Sequence, residues 1–528
     1  MINELMPDRS SSSPAFRIVF GLLLGASVLL VWLPKYLPLT DYPEHLLVIQ
    51  VLAHHRDASS RYFQDYSVQL RNVPYISVYL LGMFLNRIMP IFAVGKTILS
   101  LYVIFTPLSL LAYVRSTSNA SPWSSLFSFA LLFNLFYYLG SLNFLVSIPL
   151  AFFTLALILD LLNRPDGPVN NSAALRVSPV PSWRPFGLAL LSVAVFYAHF
   201  VSYAAVILVA TGLIMTARAR RRPVAWVVCS LIPSMACAVY TITEEHAVAA
   251  AEFQMSWLPF SSRLFDLLQP FLIYRDDYFH HLVVDWFGLP LIVLVVTWLV
   301  ISIAWRVRES VLSKERPAEE SRGRAGESWI VLLFFLLAAL VFPSQIPSAS
   351  FAHRISILVL LSVVGILPRA LGERTLTKAS LVAVALFALS VTGGWAVEFN
   401  REMKPFLSAV AQMQPDARVL PLIQNLHSAH LHTYPFLHIM NYYHLEKGGS
   451  NPYLLFRNMP QIPVHYRFLA RLPSVGSFEP ELFNWDLHHD RYQYFLAREP
   501  GPRVMGQLRT HSRLLFESQG WYLFEPLK

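Results

Sequence analysis

Along most of this chain the hydrophobic positions do not alternate with polar ones; they run on. Apolar stretches near twenty residues long are separated by short charged punctuation, the pattern of helices that cross a lipid bilayer. Eleven such segments can be drawn, at residues 16–33, 74–88, 91–113, 124–138, 142–162, 185–215, 224–240, 287–305, 329–342, 355–367 and 379–395. The first is long for a signal-peptide core, has a weak basic lead and runs on into further spans, so it reads as a membrane anchor.

Charge placement orients these segments. The strongest basic clusters are Arg218, Arg220, Arg221 and Arg222; then Arg306, Arg308, Lys314, Arg316, Arg322 and Arg324; then Arg369, Arg374 and Lys378. An even number of segments separates successive clusters, so all three fall on one side, and the positive-inside rule makes that side cytoplasmic. The N-terminus lies there too, and an odd number of spans puts everything after Trp395 outside. Three outer stretches are long: residues 34–73, 241–286 and the tail. The polar stretch 309–327 reads as a flexible cytoplasmic loop.

The pattern changes after residue 396. Residues 398–413 read as a helix, 418–423 and 492–497 as strands, 503–513 as a helix and 514–524 as a terminal hairpin or strand. The expected fold is therefore an all-α polytopic transmembrane bundle of about eleven spans over residues 1–396, N-terminus in and C-terminus out. A small extracytoplasmic α/β domain follows over 397–528.

Composition agrees. Of 528 residues, 55% are hydrophobic and 14% charged, with a mean hydropathy of +0.48. A soluble protein carries about 25% charged residues, so these charges are too few to cover a water-facing surface. The net charge of +9 reflects basic cytoplasmic loops and points to no nucleic-acid partner. Cys229 and Cys237 share one apolar segment about 12 Å apart along a helix, too far for a disulfide.

Candidate chemistry collects in the outer stretches. The first opens Thr40-Asp41-Tyr42-Pro43-Glu44-His45. Pro43 suits the first turn of a helix, which puts Asp41 just ahead of it and Glu44 and His45 within it. The apolar run 46–53 would lie along the membrane surface. Two roles fit Asp41: a helix cap, or a carboxylate held at the membrane edge. The second stretch carries Arg275, Asp276, Asp277, His281 and Asp285. Asp277 and His281 would share one helix face and could share a metal, or belong to a solvated loop. His353 and Arg354 sit at the outer start of a span, where an Arg either snorkels to the headgroups or holds a lipid phosphate. His199 lies inside a span, where a histidine must face protein or water. In the tail, His427, His430 and His432 cluster, with His438 and His444 nearby, in a run without helix or strand signal that favours a structural or solvated role over a metal site.

This layout resembles the GT-C glycosyltransferases: a first span, a long outer loop opening with an acid, a membrane-surface helix, many further spans and an extracytoplasmic C-terminal domain. The segment Gly140-Ser141-Leu142-Asn143-Phe144 is similar to a Gly-x-Leu-Asn-Phe pattern common in bacterial proteins of this type. The Trp-Trp-Asp signature of some members is missing. The resemblance implies a bacterial inner-membrane enzyme moving a sugar from a polyprenyl-phosphate donor to an acceptor at the outer face, with membrane lipid around it. It implies catalytic roles for Asp41 and Glu44, with Asp41 the general base toward the acceptor hydroxyl. Arg354 and Arg275 would steady the leaving phosphate, with His45 and His353 in substrate binding. Asp276, Asp277 and His281 would place a divalent cation, Mg2+ or Mn2+. Two other readings compete: a lipid-substrate transporter or flippase, and a non-catalytic subunit of an envelope assembly. The scarcity of ionisable residues within the spans counts against ion-coupled transport.

Overall fold

A computed structural model describes residues 13–117, 120–163, 183–217, 221–249, 256–268, 270, 288–312, 319–346, 349–429, 433–449, 451, 462–467, 474–476 and 478–527. Five of its helices are long and apolar enough to cross a membrane, at Pro14–Trp32, Ile91–Ser116, Leu142–Leu162, Pro223–Thr241 and Thr375–Gln412. Six shorter apolar helices accompany them. By these helices the chain is an integral membrane protein.

The helices needed below are α1 (Pro14–Trp32), α2 (Tyr42–His54), α3 (Ile76–Leu85), α4 (Ile91–Ser116), α5 (Phe127–Leu131), α6 (Leu135–Leu139), α7 (Leu142–Leu162), α8 (Trp183–Ala198) and α9 (Phe200–Thr216). They continue with α10 (Phe351–Ser362) and α11 (Thr375–Gln412). Pro14 begins α1 where a missing N–H costs nothing, and Ser13 Oγ accepts from the Phe16 N–H at 3.2 Å. Side-chain contacts fix how the helices run. Lys96, early in α4, donates to the Trp32 and Pro34 carbonyls at the far end of α1 (3.0 and 2.7 Å), so α1 and α4 are antiparallel. At the opposite end Phe16 packs on Trp123 with centroids 5.5 Å apart. There Ser121 donates to Glu373 (2.6 Å), and Glu373 pairs with Lys378 at 2.7 Å.

Three expected segments take other shapes. Segment 74–88 holds the ten-residue α3, about 15 Å long at 1.5 Å per residue, half of a hydrocarbon core of about 30 Å. It lies on α2: Gly82 lets the backbone sit against Ile49, and Asn86 donates to Gln50 at 2.8 Å. Segment 124–138 is not one helix but a 3-10 turn at Pro122–Leu126 followed by α5 and α6. The hydroxyls of Ser124, Ser125 and Ser128 turn back onto carbonyls three residues earlier (2.7, 2.6 and 2.7 Å). Asn134 donates to the Leu131 carbonyl (2.7 Å) and accepts from the Phe136 N–H (2.8 Å). Side chains thus satisfy backbone groups that the broken helix frees in an apolar setting. Segment 185–215 divides into α8 and α9 at His199, whose backbone is extended (φ −163°, ψ 119°). Arg184 of α8 pairs with Asp160 near the end of α7. Ser202 of α9 meets Ser147 near its start at 2.6 Å.

α11 carries the chain out of the bundle and on into the tail, running unbroken across residues 396 and 397. Its end packs Phe406 on Trp521, centroids 5.4 Å apart. The strands are β1 (Tyr66–Val68), β2 (Val419–Ile423), β3 (Val464–Tyr466), β4 (Tyr494–Arg498), β5 (Ser512–Ser518) and β6 (Trp521–Pro526). A four-stranded sheet runs β2-β4-β6-β5. β2 and β4 are parallel with Val419 opposite Tyr494, and β6 is antiparallel to both β4 and β5. The helix Pro502–His511 follows β4 and buries Val504 and Leu508. This small sheet domain matches the strands and helix read from the tail's periodicity.

The tail also grips the loop that follows α1. β1 of that loop pairs antiparallel with β3 of the tail, Tyr66 opposite Tyr466. Tyr36 donates to Glu446 (2.7 Å), Tyr62 to the His444 carbonyl (3.0 Å), and Lys35 pairs with Glu446 at 3.0 Å. Asp41, Glu44 and His438 of the candidate site meet at this junction.

Candidate functional site: a buried carboxylate–histidine cluster

Asp41 precedes α2, with its backbone fixed twice from the α6–α7 turn. The Thr40 N–H donates to the Tyr138 carbonyl and the Asp41 N–H to the Leu139 carbonyl, both at 2.9 Å. The turn can come this close because residue 140 is glycine. Gly140 has φ +73°, the left-handed region that glycine adopts freely. A Cβ there would stand 2.7 Å from the Tyr42 nitrogen and 3.1 Å from that of Asp41. The Gly-x-Leu-Asn-Phe segment is therefore the seat of the Asp41 turn. Leu142 is fully buried behind it, and Phe144 lies under Arg354 with 5.9 Å from guanidinium carbon to ring centre.

The Asp41 side chain makes no capping bond to α2; its carbonyl accepts the Glu44 and His45 N–H groups at 3.1 and 3.0 Å instead. The carboxylate, 21% exposed, turns toward His438 of the tail, with Oδ1 3.7 Å from Nε2. The other ring nitrogen, Nδ1, is 2.8 Å from Oε2 of Glu44, which is fully buried. Arg354, at the start of α10, lies within electrostatic reach of Asp41. Two carboxylates, an imidazole and a guanidinium thus converge from the start of α2, α10 and the tail.

Burial raises the Asp41 carboxyl to about 6; His438 and Arg354 pull it down, and Glu44 pushes it further up. Burial works against charge on His438, yet Glu44, by charge and hydrogen bond, and Asp41 together hold it above the usual imidazole range. His45, one residue after Glu44, is buried and shares a 2.8 Å hydrogen bond between Nδ1 and the Tyr79 hydroxyl. Burial, and then His438, push it down to about 3, so it is a neutral ring at ordinary pH.

The other expected residues fall as follows. His353 pairs with buried Asp266, Nε2 to Oδ2 2.9 Å, and so ties α10 to the short helix Phe260–Asp266. Arg275, Asp276, Asp277 and His281 lie outside the described residues, as do His430 and His432. Among the described residues no group of three or more His, Cys, Asp and Glu side chains is placed to hold a metal ion.

Sequence reasoning named His438 only within a histidine-rich run. Its local signal is faint: one imidazole inside Phe436-Leu437-His438-Ile439-Met440, where Phe436 and Ile439 are fully buried. Tyr75 went unnamed. It holds φ +77°, unusual for a side chain of this size. Its ring stands edge-on to His199 with centroids 4.7 Å apart, and His199 also meets Phe144 at 5.0 Å. The histidine at the α8–α9 break thus packs beneath the Arg354 side of the cluster.

No family model matches the sequence, and no curated protein matches it. The fold is similar to the cryo-EM structure of the arabinofuranosyltransferase AftD from Mycobacteria, with a TM-score of 0.49 and 13% identity. That match takes in 99% of this chain and 40% of the solved one, so the chain spans about two fifths of that protein's length.

Proposed function

We propose that the chain is a GT-C-type membrane glycosyltransferase that moves a sugar from a polyprenyl-phosphate carrier to an acceptor hydroxyl at the outer membrane face. Asp41 takes the acceptor proton. The acceptor oxygen bonds to the sugar's anomeric carbon as the bond from that carbon to the phosphate oxygen breaks, and the electron pair leaves with the carrier phosphate. Arg354 offsets the charge that grows on this phosphate.

The observation that carries this reading is Asp41 itself: its backbone is held through the Thr40 and Asp41 N–H groups, and its carboxylate is partly exposed, makes no capping bond and lies within reach of a guanidinium. An acid raised to about 6 is mostly ionised at neutral pH yet retains enough basicity to accept a proton. Arg354 stands on the bundle side, where a lipid carrier would present its phosphate. If a divalent cation takes part, Asp276, Asp277 and His281 are the residues to hold it.

The same reading includes eleven membrane crossings with the N-terminus inside and the tail outside. α3 stays on the outer surface with α2, while α8 and α9 cross separately on either side of His199. The two changes cancel in the count. Antiparallel α1 and α4, and Arg184 meeting Asp160 at one end while Ser202 meets Ser147 at the other, support this path.

The test is Asp41→Asn in the purified full-length protein, assayed for sugar transfer from polyprenyl-phosphate sugars. A neutral amide cannot serve as base, so transfer should fall by about a hundredfold to ten-thousandfold with melting unchanged. Near-parental transfer by this variant removes Asp41 from the chemistry.

A further inference from the structure

Proton abstraction needs only Asp41. Glu44 and His438 remain as a buried pair beside it, on different parts of the chain. Glu44 belongs to the first turn of α2 and has no exposed side-chain surface; His438 arrives from the tail almost 400 residues later with 2%. Desolvating two ionisable groups costs several kcal/mol each unless they are paired. This pair points one ring nitrogen at each carboxylate, at 2.8 Å to Glu44 and 3.7 Å to Asp41. An imidazole between two carboxylates cannot satisfy both unless each ring nitrogen carries a proton.

We propose that His438 is a positioning residue for Asp41: Glu44 anchors its Nδ1–H, its Nε2–H faces the Asp41 carboxylate, and the tail thereby sets the orientation and charge balance of the base. The tail, on this account, completes the active site. The proposal rests on the sugar-transfer reading only for Asp41's role as base; the coupling between His438 and Asp41 can be measured without a substrate. Among the described residues, the charged and titratable groups that face His438 and Asp41 include Glu44 and His45 from α2, Tyr79 from α3, Arg354 from α10 and, facing Glu44, Tyr66 from β1. Of the cations acting on Asp41, His438 has the larger effect and Arg354 the smaller.

The experiment is labelling of the full-length protein in detergent with dicyclohexylcarbodiimide across a pH series, with the Asp41 peptide quantified by mass spectrometry. The reagent adds only to a protonated carboxyl, whose oxygen bonds to the carbodiimide carbon while its proton passes to nitrogen. In the parent the labelling midpoint should lie at about 6. Removing an opposite charge at this distance raises a carboxyl by about one unit or more, so His438→Gln should move the midpoint up by that much, and Arg354→Gln by less. An unchanged midpoint in a folded His438→Gln protein overturns the proposal. Should that variant lose the parental melting transition, imidazole C2 hydrogen exchange gives the same test in the parent and in Glu44→Gln. His438 should titrate above about 6.5 in the parent and lower in Glu44→Gln; a parental midpoint at or below 6.5 overturns the proposal. Transfer assays separate the two claims. If Asp41→Asn still transfers sugar while the midpoint moves as expected, the sugar-transfer reading fails and the coupling stands. If Asp41→Asn is inactive and the midpoint does not move, the base survives and His438 has no part in setting it.

Discussion

The two ends of the helix bundle treat charge in opposite ways. At the end that carries Arg369, Arg374 and Lys378, Glu373 pairs with Lys378, and its carboxylate is 42% exposed. Asp160, paired with Arg184, is 39% exposed. At the other end Glu44 and His438 are 0% and 2% exposed, and Asp41 and Arg354 share their field. Exposed pairs contribute about 0–1 kcal/mol and are easily replaced. Buried ones are strongly destabilising when broken and offer no stability that apolar packing could not supply. The first kind suits an anchor at a water boundary. The second is the arrangement expected where chemistry requires a proton acceptor with altered affinity.

Mutations at the two ends should therefore separate activity from stability. After Asp41 itself, the largest effect is expected at Gly140, which carries no side chain of its own. In Gly140→Ala the new methyl meets the Tyr42 nitrogen at 2.7 Å and occupies a left-handed residue, so the Asp41 turn must shift. A displacement near 1 Å at a reacting group costs about a hundredfold, and transfer should drop by that order, with a modest fall in melting temperature. Parental activity would mean that the turn does not place the carboxylate. Next comes Arg354→Lys, which keeps the charge but loses the planar fork. Loss of one phosphate contact of about 1.4 kcal/mol is about tenfold in donor kcat/KM, with folding held. An unchanged dependence on donor concentration reduces Arg354 to a headgroup anchor. The smallest effect belongs to the opposite end. Glu373→Gln should change stability by no more than about 1 kcal/mol and leave transfer at the parental rate. A loss of activity there would break the contrast between the two ends.

How much of this was legible in the sequence follows from how local each signal is. The strands of the four-stranded sheet were, because β2, β4 and β6 are short apolar runs bounded by polar turns; β3, three residues that pair only with the distant β1, was not. Asp41 ahead of a proline-started helix was legible too, since Pro43 marks that boundary by itself. α3 was not, because a ten-residue apolar helix packed on α2 has the composition of half a span. The break at His199 carries neither proline nor glycine; it exists because α8 and α9 each pack on α7, which no local pattern encodes. Nor was the meeting of Glu44 and His438 visible: it follows from the β1–β3 clasp and the packing of the tail on the loop after α1. Conversely, the Gly140 segment is legible by resemblance, and its physical reason lies in the fold: only a residue without a Cβ allows the two turns to touch.

The central claim is that Asp41 acts as an ionised base raised by burial. The most direct test is the pH dependence of kcat/KM for sugar transfer, in the parent and in Asp41→Asn. The carboxyl must be deprotonated to work, so the parental rate should fall as pH drops, with a midpoint at about 6. The small residual rate of Asp41→Asn should show no such acid limb. A parental rate flat through this range, or an acid limb that persists in Asp41→Asn, would contradict the account.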